Sequence, residues 1–337
     1  MGRSELVLMT DHGSTEGSRE TLATAVRRLT GQAPFLLDAR HFMSGGAVGP
    51  AGGGRARGTG DGVALEVPAE GIALTARTVL LYEIPPHRRH ELADCQRLLH
   101  ENAVRSLGTS ADGWRAATDK RLTVECFTRD GVRQMPTVTL SRPTRAEAAA
   151  VFERLGGDVW ARPALGMGGE DVFHVTTRTQ LAEAAERYAE AGTAWLLAAD
   201  ARNFTADGRR HQYRVTVLAG RALRAVEHLQ DDPDQPCNLA RGAVSTPLPV
   251  DALPAGLAEL AVAATRSVGL PFAAVDLAGE SGGAVFEVNV HPAFGSPGAL
   301  EAVAVPYVAA HLGGSDHAAA DARVRADGRG TAARQAN

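Results

Sequence analysis

Two short runs late in the chain, Phe272-Ala273-Ala274-Val275-Asp276-Leu277 and Ala284-Val285-Phe286-Glu287-Val288-Asn289-Val290, flank the connection Gly279-Glu280-Ser281-Gly282-Gly283. β-Forming apolar residues on either side of a glycine-rich turn read as two strands of one hairpin. Successive side chains of a strand point to opposite faces, so Phe286, Val288 and Val290 are expected on one face and Glu287 and Asn289 on the other. A tight hairpin then sets Asp276 nearly opposite Glu287, with Cβ atoms roughly 5 Å apart. Facing carboxylates repel, and a cation between them relieves the repulsion. Asp276, Glu287 and Asn289 together offer two carboxylates and an amide oxygen. These are hard ligands suited to magnesium, with phosphate oxygens and water completing its shell. The competing reading is a solvated polar face on a half-exposed sheet, which the hairpin alone leaves open.

A chain of 337 residues is long enough for two or three lobes with their own cores. Its net charge of −4 shows none of the basic excess that a nucleic-acid partner favours. No apolar run approaches the length of a membrane span, and Met1 to Thr10, with Arg3 and Glu5 before a short apolar run, reads as a first strand. Cys95, Cys126 and Cys237 are widely spaced and fit neither a zinc pattern nor a disulfide framework, so a cytoplasmic setting is expected. Against a strong bias to Ala, Gly and Arg, Lys120 is the sole lysine. A compact ammonium fits between phosphate oxygens in a way that a guanidinium does not. Chance placement of Lys120 on the surface is the alternative.

The first lobe, residues 1–112, opens with the strand Leu6 to Met9, a helix over Ser18 to Leu29 and a strand at Pro34 to Asp38, an α/β order. Ser44 to Gly62 is about half glycine and is expected to hold no regular element. Strand-like Thr78 to Tyr82 leads to a helical His87 to Ser106, in which His87, Arg88 and Arg89 can contact an anionic substrate group, cap the helix start or stay solvated. Residues 113–192 carry a helix with Lys120, a strand at Pro136 to Leu140, a helix at Thr144 to Leu155, the strand Val159 to Pro163 and a helix at Thr179 to Ala191. Residues 193–314 add strands at Ala194 to Ala198, Tyr213 to Leu218 and Ala222 to His228, the helix Ala255 to Val268 and the hairpin. Residues 315–337 are small and polar and are expected to form a disordered tail.

Two further motifs carry chemistry. In Arg162-Pro163-Ala164-Leu165-Gly166-Met167-Gly168-Gly169, glycines between two strands let backbone N–H groups approach phosphate oxygens. In Asn238-Leu239-Ala240-Arg241-Gly242, with Arg214 upstream, arginines can hold a carboxylate or phosphoryl group bidentately. Taken singly, the first reads better as a β-turn and the second as a surface loop with a pair of salt bridges; their order is what tells. The sole lysine, the glycine loop, a hinge strand, an Arg strand, the Asn loop and the Glu-x-Asn hairpin follow one another. That order resembles the ATP-grasp superfamily over residues 113–310, most closely the ribosomal-protein glutamate ligases and bacterial glutathione synthetases.

The resemblance implies an α/β (α+β) ATP-grasp fold with an N-terminal Rossmann-like pre-ATP-grasp domain at 1–112, a central lid subdomain at 113–192 and a C-terminal subdomain at 193–314. ATP and two magnesium ions would be the cofactors. Lys120 and Arg162 would contact the phosphates beneath the lid loop Gly166, Gly168 and Gly169. The backbone from Leu197 to Ala199 would meet the adenine edge, and Asp200 the ribose. Asp276, Glu287 and Asn289 would hold magnesium, with Arg214, Asn238 and Arg241 as the catalytic set facing an acyl phosphate and the acceptor. The implied activity is ADP-forming ligation of a carboxylate to an amine on an amino acid, small peptide or peptide-like metabolite, without nucleic-acid or membrane partners, in a homodimer or tetramer. An internal or oxygen nucleophile giving a ring or an ester, and a nucleotide-binding protein without catalysis, are the alternatives. The chain departs from the family pattern at Arg162, where the family has lysine, in the hinge Trp195-Leu196-Leu197-Ala198-Ala199, which lacks a polar side chain, and in Arg241-Gly242-Ala243.

Overall fold

Val7, Leu8 and Met9 are fully buried, as a run apolar on both faces requires, and their strand Leu6–Thr10 sits at the centre of a three-stranded parallel sheet. Phe35–Asp38 pairs with it on one side and Thr78–Tyr82 on the other. The connecting helix Ser18–Thr30 buries Leu22, Ala25 and Val26 and stops at Gly31, whose φ of 73° provides the left-handed C-cap. Tyr82, Phe272, Phe294 and Tyr307 pack together, with ring centroids 4.3–6.5 Å apart. The computed structural model describes residues 2–3, 6–44, 53–295 and 298–313, so residues 45–52 of the glycine-rich stretch and the tail expected from 315 lie outside the described residues.

These elements belong to the first of two compact units, made of residues 1–115, 269–273 and 291–337. The expectation of no regular structure across 44–62 is corrected: Arg55–Gly58 is a strand, paired antiparallel with Val63–Val67, which pairs in turn with Ile72–Ala76. The glycines are interrupted by Arg55-Ala56-Arg57, and the alternation Val63, Leu65, Val67, each fully buried, gives the hairpin an apolar face. The helix expected over His87 to Ser106 is shorter and begins as a 3-10 turn at Pro86–Leu92 before the α-helix Ala93–Glu101.

The second unit, residues 116–268 and 274–290, is built on two sheets. One is antiparallel, in the order Phe173–Val175, Val159–Pro163, Trp195–Ala199 and Thr137–Leu140. The helices Arg145–Arg154 and Arg178–Glu190 cover it, burying Phe152, Leu181 and Tyr188 against Trp195 and Leu197. Thr144 with Glu147, and Thr177 with Gln180, close capping boxes that satisfy the first N–H groups of these helices. The other sheet has five strands, in the order Val244–Leu248, Arg221–Gln230, Arg210–Leu218, Phe272–Ala278 and Ala284–Asn289. The helices Leu257–Ser267 and Lys120–Asp130 pack on it. Arg210–Leu218 begins three residues before the expected start at Tyr213. Among the described residues no helix is long and apolar enough to cross a membrane.

Candidate active site

The hairpin register is Asp276 opposite Glu287, followed by an irregularity in which Leu277 pairs with Val285. Phe286 is therefore an extra residue on its strand, a bulge of the kind that re-aims side chains beside functional sites. The expected alternation holds for Val288 and Val290, which are buried, and for Glu287 and Asn289, which line a cavity; it is corrected at Phe286, which lines that cavity too. That cavity lies within the second unit and is walled by residues from both of its sheets.

Each of the two facing carboxylates has its own cation. Arg214 grips Asp276 bidentately, Nε to Oδ1 at 2.7 Å and Nη2 to Oδ2 at 2.9 Å, and Asn289 Nδ2 donates to Oδ2 at 3.0 Å. Lys120 Nζ lies 3.1 Å from Glu287 Oε1 and donates to the Gly166 carbonyl at 3.2 Å. The mutual repulsion expected of this pair is thus offset by two ion pairs. Lys120 reaches the cavity because Asp119 caps its helix, accepting from the Arg121 N–H, and sets Lys120 at the first helical position. On the strand Val159–Pro163, Val159 and Ala161 are fully buried while Trp160 and Arg162 turn to the cavity. Arg162 Nη1 donates to the Phe286 carbonyl at 2.8 Å, and its Nε is buried without a partner. Burial pushes the Arg162 pKa down, against the opposing attraction of Glu287.

These residues fit a metal-bound triphosphate. Two carboxylates and an amide on adjacent strands form a hard donor set. Lys120 and the orphaned N–H of Arg162 are cationic donors in the same cavity. Gly168 and Gly169 adopt φ of 67° and 71°, and a Cβ on Gly169 would press to 3.1 Å from Pro236 Cγ. Only glycine serves there without strain.

Of the residues expected at a site, Lys120, Arg162, Gly166, Gly168, Gly169, Ala199, Arg214, Asn238, Asp276, Glu287 and Asn289 line this one cavity. Three do not. Leu197 is fully buried, its backbone paired with Val138 on one side and Ala161 on the other, so it presents no free edge. Asp200 is held by Arg210 Nη1 at 2.8 Å and Trp160 Nε1 at 2.8 Å, and its side chain is 1% exposed. Arg241 is exposed, with its carbonyl taken by Gln230 Nε2. Asn238 Oδ1 accepts the Ala240 N–H, which fixes the turn Leu239–Arg241. Cys237 is buried, which pushes its thiol up to about 12, and its carbonyl accepts from Gln212. It serves as a spacer rather than a nucleophile. Arg88 is tied to Asp11 and Glu91, and Arg89 donates to the Ile84 carbonyl.

Sequence reasoning missed Arg210, Gln212 and Trp160, all of which line the cavity. Period-two counting back from Arg214 would have found Gln212 and Arg210, had the strand been started early enough.

The prokaryotic glutathione synthetase ATP-grasp domain family matches residues 125–305. No curated protein matches the chain by sequence. Among solved structures, the ATP-grasp ligase PsnB with a phosphomimetic variant of its minimal precursor, Mg and ADP aligns at a TM-score of 0.65 and 14% identity, covering 92% of this chain and 98% of that one. The D-cycloserine synthetase DcsG aligns at 0.61 and 19%, covering 93% and 100%. The ATP-bound D-alanine–D-alanine ligase of Bacillus anthracis aligns at 0.60 and 12%, covering 97% and 99%. With the family match spanning more than half of its length, the chain belongs to the ATP-grasp superfamily of ADP-forming carbon–nitrogen ligases, in the family of the prokaryotic glutathione synthetase ATP-grasp domain.

Proposed function

We propose that the cavity of the second unit binds ATP with two magnesium ions and joins a carboxylate to an amine through an acyl phosphate. The observation that carries this reading is the convergence of Lys120–Glu287, Arg214–Asp276, Asn289 and the Gly166 to Gly169 loop on one cavity. Asp276, Glu287 and Asn289 would hold magnesium, which when bound supplies Lewis-acid charge neutralisation. Lys120 and Arg162 hold the phosphates. A substrate carboxylate oxygen attacks the γ-phosphorus and ADP leaves. The amine then attacks the carbonyl carbon, phosphate departs, and the nitrogen loses a proton. Arg214, with Asn238 from the adjoining loop, stabilises the oxyanion of the tetrahedral stage.

The substrates we assign are an amino acid, a small peptide or a peptide-like metabolite. PsnB, which has been captured with its precursor peptide, and DcsG share the fold. The proposal includes a cytoplasmic setting, a homodimer or tetramer, a Rossmann-like pre-ATP-grasp domain at 1–112 and ATP-grasp subdomains at 113–192 and 193–314. A mass-spectrometric screen of amino acids and small peptides for ATP-dependent condensation with loss of water tests the reading. Product and ADP should appear together, and Glu287→Gln should abolish both. Thermal stabilisation by ATP without turnover on any carboxylate–amine pair would instead favour a non-catalytic nucleotide-binding protein.

A further inference from the structure

Arg210 opens the strand Arg210–Leu218, is 3% exposed and lines the cavity. Its guanidinium is fixed on nearly every side. Nε donates to the Pro233 carbonyl at 2.8 Å, and Nη1 bonds Asp200 and, at 3.1 Å, Asn203 Oδ1. The group lies 4.9 Å from the Trp160 ring centroid and 4.5 Å from that of Phe204. Nη2 alone is buried with no partner. Native structures rarely leave such a donor unsatisfied, and one held rigidly in a cavity wall is a donor prepared for a ligand. Asp200 already balances the charge, so the remaining N–H groups suit a neutral acceptor better than a phosphate.

The position of Arg210 narrows the choice of ligand atom. Arg214, on the same strand face four residues on, marks the phosphate and metal end, about 13 Å away at roughly 3.3 Å per residue. The cavity wall near Arg210 includes Ala198, Ala199, Ala201 and Asn203. The alanines have no polar side chain. Asn203 accepts from Arg210 and donates to the His211 carbonyl, and the Ala199 N–H is taken by the Pro136 carbonyl. Asp200 accepts from Trp160, Arg202 and Arg210. Of these residues none carries an uncommitted side-chain acceptor beside the Arg210 donor.

We propose that Arg210 selects the nucleotide base, donating from Nη2 to a ring nitrogen or carbonyl oxygen, so that the site reads acceptors and takes a 6-oxopurine alongside adenine. The inference rests on the nucleotide reading given above. One Nη2 N–H meets one acceptor, and a 6-oxopurine shows two on that edge, N7 and the 6-oxygen, where adenine shows N7 alone.

The test is calorimetric binding of ATP, ITP, 1-deaza-, 3-deaza- and 7-deaza-ATP and 2′-deoxy-ATP to the full chain with magnesium. ITP should bind within tenfold of ATP. One deaza analogue should lose roughly tenfold or more, the effect of deleting a hydrogen bond to a charged donor. In the charge-neutral pair Asp200→Asn/Arg210→Met that same analogue and ATP should bind alike. Should the double variant fail to fold, Arg210→Lys keeps a cation beside Asp200 without Nη2, and the analogue series on the native chain decides by itself. Equal binding of every deaza analogue, a loss confined to the 2′-deoxy compound, or ITP more than tenfold weaker than ATP overturns the assignment while leaving ATP ligation intact. Failure of ATP itself to bind overturns both.

Discussion

Replacing Arg214 with methionine removes the guanidinium that clamps Asp276 while keeping an unbranched apolar stem on the strand. Asp276 is 5% exposed, and its remaining side-chain donor among the bonds described is the neutral Asn289 amide. A buried carboxylate stripped of its cation costs about 3–5 kcal/mol, mostly through its unreturned desolvation. In a unit of this size that corresponds to a midpoint lowered by roughly 10 °C. Thermal and urea unfolding of the full chain measure it, with tryptophan fluorescence reporting Trp160 and Trp195 in the second unit. Asp276→Asn in the Arg214→Met background removes the stranded charge and should recover most of the loss. The two single changes should therefore be strongly non-additive. An Arg214→Met protein within 1 kcal/mol of the parent, or an additive pair, would refute the clamp as the element holding Asp276 in place.

Other expectations follow from the same geometry. Lysine-directed acylation at high pH should modify Lys120 slowly, since it is 7% exposed and paired with Glu287, and Mg·ATP should suppress the reaction at that residue. Lys120→Met should lower ATP-dependent turnover by at least about a hundredfold, the scale of losing a charge-stabilising donor. Burial, reinforced by Arg214, holds His228 down to about 4, and burial alone does the same for His311. Both are neutral when folded and protonate readily when unfolded. Their stabilisation is therefore full above about pH 6.5 and falls as pH drops from there toward 4, by up to about 1.4 kcal/mol per pH unit for each. His228→Gln should flatten that slope in acid titrations of stability. Thiol labelling of the native protein should reach Cys126 before Cys95 and Cys237, because burial lifts the latter two thiols to about 12.

Much of the site was legible because strands convert sequence spacing into faces. The Asp276 and Glu287 pairing followed from two runs and a short glycine-rich connection, and the register bears it out. The helix expected from Thr144 is present as Arg145–Arg154, and Thr144 with Glu147 closes its start by a local rule that needs no tertiary context. Misreadings arose where polar residues sit inside. Arg210 and Gln212 look like loop residues, yet they continue a strand whose polar face turns into a cavity. Asp200 looked like a free ligand beside the hinge, but its partner Arg210 lies ten residues on, brought back by the turn from Phe204 to Arg210. The strand Arg55–Gly58 was hidden by the glycines before it.

What the sequence determined by itself is the kind of chemistry: a sole lysine, a glycine loop and a carboxylate hairpin, in an order that names a superfamily. Tertiary structure decided how those charges are distributed. The sequence places two carboxylates opposite one another but does not say which cation each takes, since Lys120 lies 167 residues from Glu287 and Arg214 lies 62 from Asp276. The start of the helix capped by Asp119 brings Lys120 to Glu287, while a neighbouring strand of the same sheet brings Arg214 to Asp276. Ion pairing depends on distances of a few ångströms, and those are set by how sheets and helices pack rather than by spacing along the chain.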